Sequence, residues 1–300
     1  MLTLRAEKRR AIGFAALLLL LAAVVCCPLT ALASDELEDS DLEQDGVSVT
    51  AEAAVSSLKQ LDLVPAENEA QVCCDMELLE DANVLVGDIV SVDYSVSPYR
   101  YEMAIDDELS DFVQVEEAAD GTITLRIVEG DIENELVIEP SGDLILDGFV
   151  LEGSVSVVEE PGLVPEVMPF STAGSYFTTT NPCPDKTWVK HETVKENYNI
   201  GKILGDLSVT ALSGIIGKIS KGVPKAVLQS AAKLFKKESP NSKYVSCKSV
   251  VYYPKGGRLY YNKNGIVKYA EKHARTMYPT SNCTGSVSKT KTVYKIIEIG

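Results

Sequence analysis

Few residues of this 300-residue chain have the type and spacing for covalent chemistry. A cysteine nucleophile needs a neighbouring base, so Cys183 with His191 or His273 is the dyad to consider. Pro182 and Pro184 flank Cys183 in a segment rich in turn residues, which favours a structural role for the thiol. A hydrolase that uses these three side chains is therefore kept only as a minor alternative.

The sequence predicts no metal site and no cofactor. It contains no CxxC pair, no zinc-spaced histidine pair, no GxSxG turn and no glycine-rich phosphate loop. Acidic residues between Asp41 and Glu52 partly match a calcium loop, but too few residues precede them for an entering helix, and an acidic linker is favoured. We expect no enzymatic activity and no small-molecule substrate, and without a readout motif no nucleic-acid partner.

The amino terminus reads as a secretory signal peptide. Arg5–Arg10 is positively charged, Ala11–Cys27 is apolar, and Ala31–Ala33 forms a small-x-small cleavage site. Cleavage between Ala33 and Ser34 is predicted, and a retained membrane anchor is the alternative. The expected location is extracellular, released or held at the cell surface, and the leader is typical of a bacterium.

Five cysteines follow this leader, an odd number in an oxidising compartment. Cys247 and Cys283 lie in strand-like surroundings, and a disulfide between them is predicted. Closing a loop of about 36 residues would contribute about 3–4 kcal/mol. The states of Cys73, Cys74 and Cys183 are left open.

Charge divides the chain more clearly than any motif. The net charge is −16, but residues 34–170 hold 36 acidic and 3 basic side chains, whereas residues 171–300 hold 7 acidic and 21 basic ones. The change of sign falls in the proline-rich stretch 161–184. We therefore predict a signal peptide (1–33), a disordered acidic segment (34–52), an acidic β-rich domain (53–160), a linker (161–184) and a basic helix-plus-sheet domain (185–300).

The predicted fold class is α+β, because helical and strand patterns both occur on either side of the linker. In the acidic domain, short helices are expected at Ala53–Leu61 and Glu69–Leu79. Short alternating or apolar runs separated by Asp-Gly, Glu-Gly and Ser-Gly turns indicate an antiparallel sheet; the expected strands are Val84–Val86, Ile89–Tyr94, Thr122–Val128, Glu135–Ile138, Leu144–Phe149 and Val155–Val158.

The basic region opens with a helical pattern. Ile200–Lys237 has an apolar stripe at three- and four-residue steps, broken at Gly222–Pro224, and it holds seven lysines against the single acid Asp206. A Tyr- and Lys-rich antiparallel sheet is expected after Pro240, with strands at Lys243–Tyr253, Arg258–Lys263, Ile266–Tyr269 and Thr290–Ile299.

Two interpretations of the helical segment stay open. It is either a helical hairpin packed on the following sheet with solvated lysines, or a cationic segment that binds anionic membranes. The membrane-interacting residues of the second interpretation are Lys202, Ile203, Leu207, Leu212, Ile216, Lys218, Lys221, Lys225, Lys233, Lys236 and Lys237.

The leading functional hypothesis follows from this charge partition. It is a secreted bacterial precursor whose acidic domain is the intramolecular partner that shields a cationic, antimicrobial or toxin-like effector. The external partner would be an anionic membrane or cell-wall polymer. The alternative is an uncleaved extracellular protein that binds cell wall and has no catalytic activity.

Overall fold

A computed structural model describes residues 50–84, 86–104, 111–160, 172–256, 259–261, 267–285 and 288–299. The predicted signal peptide with its Ala33–Ser34 cleavage site, the acidic run 34–49 and the linker residues 161–171 lie outside the described part. Within it, helices and antiparallel sheets occur together, so the α+β class is confirmed at this coarse level.

Two helices and a seven-stranded meander form the amino-terminal part, called here the acidic half (residues 50–151). Both helices were predicted, and α1 begins after Thr50, whose hydroxyl accepts a hydrogen bond from the Ala53 amide. Each strand pairs antiparallel with the next. The elements are α1 Ala51–Gln60, α2 Glu69–Asp81, β1 Ile89–Asp93, β2 Arg100–Met103, β3 Phe112–Glu117, β4 Ile123–Glu129, β5 Ile132–Ile138, β6 Leu144–Leu146 and β7 Phe149–Val150.

Seven further strands form the second sheet, in the order β8-β10-β11-β13-β14-β9 with β12 paired to β13. They are β8 Glu152–Glu159, β9 Thr172–Thr178, β10 Trp188–Asn199, β11 Tyr244–Pro254, β12 Leu259–Tyr261, β13 Val267–Tyr278 and β14 Lys291–Ile299. The edge strand β8 comes from the predicted acidic domain, and β9 at the opposite edge falls in the predicted linker. The boundary between the two sheets, between β7 and β8, therefore does not coincide with the change of charge sign in residues 161–184.

The helical hairpin consists of α3 (Val209–Ile219) and α4 (Lys225–Glu238). The predicted break is confirmed, since Gly222 has φ +82°. The prediction of a helix from Ile200 onward is wrong: residues 200–208 contain only a short 3₁₀ turn, and α3 begins after Ser208. The Ser208 hydroxyl accepts a hydrogen bond from the Ala211 amide, which caps the helix at this point.

Helix α3 lies between the two sheets, with contacts to β4 and β5 on one side and to β11 on the other. Every residue of α3 except Lys218 is buried, as expected for a helix enclosed on all sides. The apolar residues of the acidic half, the hairpin and the inner face of the second sheet form one continuous hydrophobic core. In the described ranges, no helix combines the length and apolarity needed to cross a bilayer.

Candidate functional site: the interface between the acidic half and the helical hairpin

The amino terminus of α3 is held by a carboxylate of the acidic half. The Val209 and Thr210 amides donate hydrogen bonds of 2.5 and 2.8 Å to the two oxygens of Glu129, at the end of β4. The Ser208 amide donates to Asn134 Oδ1 on β5 at 2.7 Å. First-turn amides have no partner within their own helix, and a negative charge there also complements the helix dipole. The acidic half thus provides the cap of the hairpin's buried helix.

Replacing Glu129 by alanine should lower the free energy of unfolding by about 1–2 kcal/mol, because two first-turn amides lose their acceptor. Chemical denaturation followed by circular dichroism would measure the change. Glu133→Ala is the matched control, since Glu133 is largely exposed and its carboxylate pairs with Arg126; its effect should stay within about 0.5 kcal/mol. Equal losses in the two variants would contradict the capping role.

Two glycines bring the backbone of α3 close to the turn that follows α2. A Cβ atom built on Gly214 would lie 3.2 Å from the Ala82 carbonyl oxygen. One built on Gly217 would lie 2.6 Å from Asn83 Cγ, closer than real Cβ atoms approach. Asn83 itself has φ +62°. The absence of a side chain at these positions allows the helix to approach the acidic half this closely.

Four polar side chains, three in the hairpin and Lys202 just before it, face groups of the acidic half. Lys202 Nζ lies 2.6 Å from Asp147 Oδ2, and Lys225 Nζ lies 3.4 Å from Glu80 Oε1. Gln229 donates a 2.6 Å hydrogen bond to Asp88, and Lys218 lies beside Gly142. Burial, together with repulsion from Lys221, lowers the pKa of Lys218. The acidic half therefore neutralises part of the hairpin's positive charge by direct contact.

The remaining predicted membrane-interacting residues divide into buried apolar ones and exposed lysines. Leu207, Leu212 and Ile216 are fully buried, and Ile203 is half-buried. Lys221, Lys233 and Lys237 are exposed, and Lys236 donates a hydrogen bond to the Leu207 carbonyl. In this arrangement the apolar part of the set cannot meet a bilayer. Membrane binding stays a prediction, and it requires the hairpin to leave its place between the sheets.

The Asp147 carboxylate makes the interface sensitive to acid. Burial alone would raise the pKa of Asp147, but hydrogen bonds from Lys202, the Glu135 amide and Asn134 outweigh it and hold the pKa below its usual value. A carboxyl with a lowered folded-state pKa stabilises the fold above its unfolded pKa, about 3.9, and this contribution is lost as pH falls through the lower folded value.

The stability difference between the wild type and Asp147→Asn should therefore be constant above about pH 5 and shrink between about pH 4 and 2. Comparing the two proteins at each pH cancels the opposite contribution of Asp75 and Asp88, whose pKa values are raised by burial. Urea denaturation at a series of pH values measures the difference. A difference that does not change with pH would show that the Asp147 charge does not stabilise the interface.

The three side chains considered for hydrolysis lie in different surroundings. Cys183 packs with Ala270 and Ile296 in a small second core, and the His191 ring lies 4.1 Å from that of Tyr253. His273 lies in a buried network in which Ser249 Oγ is 3.3 Å from Nδ1 and Glu271 Oε2 is 3.2 Å from Nε2. The expectation that the chain is not an enzyme stays a prediction.

The predicted disulfide is not formed in the described structure. No two of the five described cysteines lie at disulfide-bonding distance, and burial raises the pKa of Cys247 to about 12. The turn that contains Cys283 lies beside β11, because Ser246 Oγ donates to the Thr280 carbonyl. The pairing of Cys247 with Cys283 therefore stays a prediction, which the mass of the exported chain with and without reductant would test.

Comparison with protein-family models, with curated proteins and with solved structures gave no match. No relative indicates a role for this interface, so its role is inferred from its own contacts. Sequence patterns identified the hairpin but not its partners, since Glu129, Asn134 and Asp147 are acidic or polar residues among many and lie 55–81 positions away from the groups they bind. Which residues of two distant segments contact each other depends on the fold, and such contacts leave no local pattern in the sequence.

Proposed function

We propose that the protein is a secreted bacterial precursor in which the acidic half covers and neutralises a cationic, membrane-active helical hairpin. One observation carries the proposal: the apolar helix α3 is enclosed between the two sheets, with its amino terminus on Glu129. The contacts of Lys202 and Lys225 with acidic-half carboxylates support it. The proposal assigns no catalytic residue, metal or cofactor.

Release of the hairpin would begin with proteolysis between residues 160 and 172. The cut alone would leave the pieces associated, because β8 pairs with β10 over eight residues and the core is continuous. An anionic membrane would then compete with the acidic half for the lysines, each worth about 1 kcal/mol near such a surface. Membrane activity would therefore need both the cut and an anionic target.

Vesicle leakage tests this proposal on the whole chain. A site-specific protease sequence is placed within 161–171, and the purified protein is added to anionic or neutral vesicles before and after cutting. We expect leakage from anionic vesicles only after the cut, and none from neutral ones. Equal leakage from the uncut protein, or no leakage from either form, would contradict the proposal.

A second candidate function is an uncleaved extracellular protein that binds a cell-wall polymer. The observation that favours it is the continuous core, since a cut at the linker would divide a sheet to which both sides contribute strands. Intact-mass measurement of the exported protein separates the candidates. A fragment beginning between Pro161 and Cys183 supports the precursor, and a single species beginning at Ser34 supports the binding protein.

A further inference from the structure

One face of the second sheet lies toward the helices. The other lies toward solvent, except at one end where Cys183 and Trp188 pack on Ala270, Ile296 and Tyr294, and charges are sorted between the two faces. Along β13, Glu271, His273 and Arg275 are buried, whereas Lys272 and Thr276 between and beyond them are half-exposed. The register continues this sorting into β10, because Glu196 pairs with the buried Cys247 and Lys195 with the half-exposed Lys248. On β10, β11 and β13, Glu196 and Glu271 therefore lie inward, whereas Lys195, Lys248 and Lys272 lie outward.

A bulge in β10 increases the number of outward lysines. Lys190 and Lys195 are five residues apart and would point to opposite faces of a regular strand. The register shifts between Lys190 and Glu192, so that Lys190 pairs with Tyr252 and Lys195 with Lys248. Tyr252 and Lys248 are four residues apart on β11 and share one face. The bulge thus returns Lys190 to the same face as Lys195.

The solvent face carries two rows of lysines. The short side chains between the rows are called here the floor. In the first row, Lys195 lies directly opposite Lys248, and Thr276 follows on β13. In the second, Lys272 Nζ lies 5.2 Å from the ring centroid of Tyr252. The rows are four residues apart, about 13 Å. The positions between them are small or short: Thr193, Val250 and Ala274.

Three lysines of this face, Lys195, Lys248 and Lys272, differ from its other lysines in their ion pairing. Lys190 pairs with Glu160, and Lys268 pairs with Glu298 at 2.5 Å. Among the described residues, Lys195, Lys248 and Lys272 form no ion pair with a carboxylate. Like charges directly opposite on neighbouring strands destabilise a sheet, so the Lys195–Lys248 pair would gain from a bound anion.

The acidic half does not compensate this charge. Helix α3 separates the second sheet from β4 and β5, and the lysine rows lie on the far side of that sheet. A helix layer and a sheet are each about 10 Å thick, so the distance exceeds the Debye length of about 8 Å at physiological ionic strength. The solvent face therefore stays positive in the intact chain.

We propose that the solvent face of the second sheet, with Lys195, Lys248, Lys272 and Tyr252, binds an extended phosphate-bearing polymer of the cell envelope. A linear chain crossing the Thr193–Ala274 floor would meet positive charge at both rows. Between the rows lie only the short side chains of Thr193, Val250 and Ala274, with Val158 of the edge strand beside Thr193. This apolar surface is small compared with the face that an interfacial helix buries, which favours a polymer over insertion into a bilayer. The inference rests on the second candidate function and names its partner, and it does not depend on release of the hairpin.

Binding of long-chain inorganic polyphosphate to the intact chain tests the inference. We expect titration calorimetry at several salt concentrations to show binding that weakens as salt rises. The triple variant Lys195→Gln, Lys248→Gln, Lys272→Gln should lose affinity on the order of a hundredfold, and its slope of log K against log salt should fall by about 2. The control replaces three exposed lysines elsewhere by glutamine, Lys221, Lys243 and Lys255, with the same change in charge.

No binding by the wild type, or equal losses in the two triple variants, would overturn the inference. Tighter binding to single-stranded DNA or to anionic vesicles than to polyphosphate would overturn the assignment of the partner. Because the chain is never cut here, these failures are distinct from failure of the leakage experiment. If the exported protein is found cut and still binds polyphosphate, the uncleaved state in the second candidate function is wrong, but the binding surface is supported.

Discussion

Replacing Leu212 by alanine is expected to lower the free energy of unfolding by about 3 kcal/mol. Leu212 is fully buried in α3, which has a sheet on either side. Such a site relaxes little, so the lost transfer energy and the cavity both contribute. Urea denaturation followed by Trp188 fluorescence and by circular dichroism would measure the change, and the two signals should give the same midpoint.

Leu234 provides the comparison within the same hairpin. It lies on α4 and is only half-buried, so Leu234→Ala should cost less than about 1.5 kcal/mol. A hairpin resting loosely on the surface would show small and similar losses for the two variants. That result would contradict the enclosure of α3 between the sheets.

The second large effect concerns the sign of an alanine substitution. In an open helix, Gly217→Ala would stabilise by about 1 kcal/mol, because alanine is the better helix former. Here the new Cβ would meet Asn83 at 2.6 Å, so a net loss of about 1–3 kcal/mol is expected. The turn 82–83 would have to move away from the helix.

Asn83→Gly should rescue this loss. The substitution removes the side chain that the new methyl group at position 217 would strike, and glycine readily adopts the φ of +62° found at position 83. A double-mutant cycle from denaturation midpoints should show a coupling of at least about 1 kcal/mol between the two sites. Additive effects, or stabilisation by Gly217→Ala alone, would show that the helix does not approach the turn this closely.

Local patterns predicted the elements that local chemistry determines. The break at Gly222–Pro224 was predicted from the Gly-Val-Pro sequence, with Pro224 suited to the start of the second helix. In the structure Gly222 has φ +82° and α4 begins directly after Pro224. The first two helices and most strands beside glycine turns were also located within a few residues. The run Val84–Val86 was wrongly expected to be a strand, and Val86 instead begins a 3₁₀ turn.

Long-range packing explains most of what the sequence could not predict. The stripe of α3 indicated one apolar face, yet Thr210, Ser213 and Gly214 are buried as well, since the acidic half covers the other side. Strand β10 mixes lysines, glutamates and other polar residues with few apolar ones, so no hydrophobic period marked it. Its neighbours β8 and β11 supply the pairing on both sides.

The candidate site shows the same division between local and distant information. The lysines of the hairpin were identified from composition, but their partners Asp147 and Glu80 could not be selected from 36 acids between residues 34 and 170. The sorting of lysines to one face of β10 also depends on the bulge between Lys190 and Glu192. Simple alternation would have placed Lys190 and Lys195 on opposite faces.

Hydrogen–deuterium exchange of the intact chain, read by mass spectrometry, tests the central claim most directly. The claim is that α3 belongs to one core shared by the acidic half and the second sheet. Residues 209–219 should then exchange as slowly as the strands 123–129 and 244–254. Fast exchange of 209–219 while both sheets remain protected would show that the hairpin is a separate surface element, and would contradict the account.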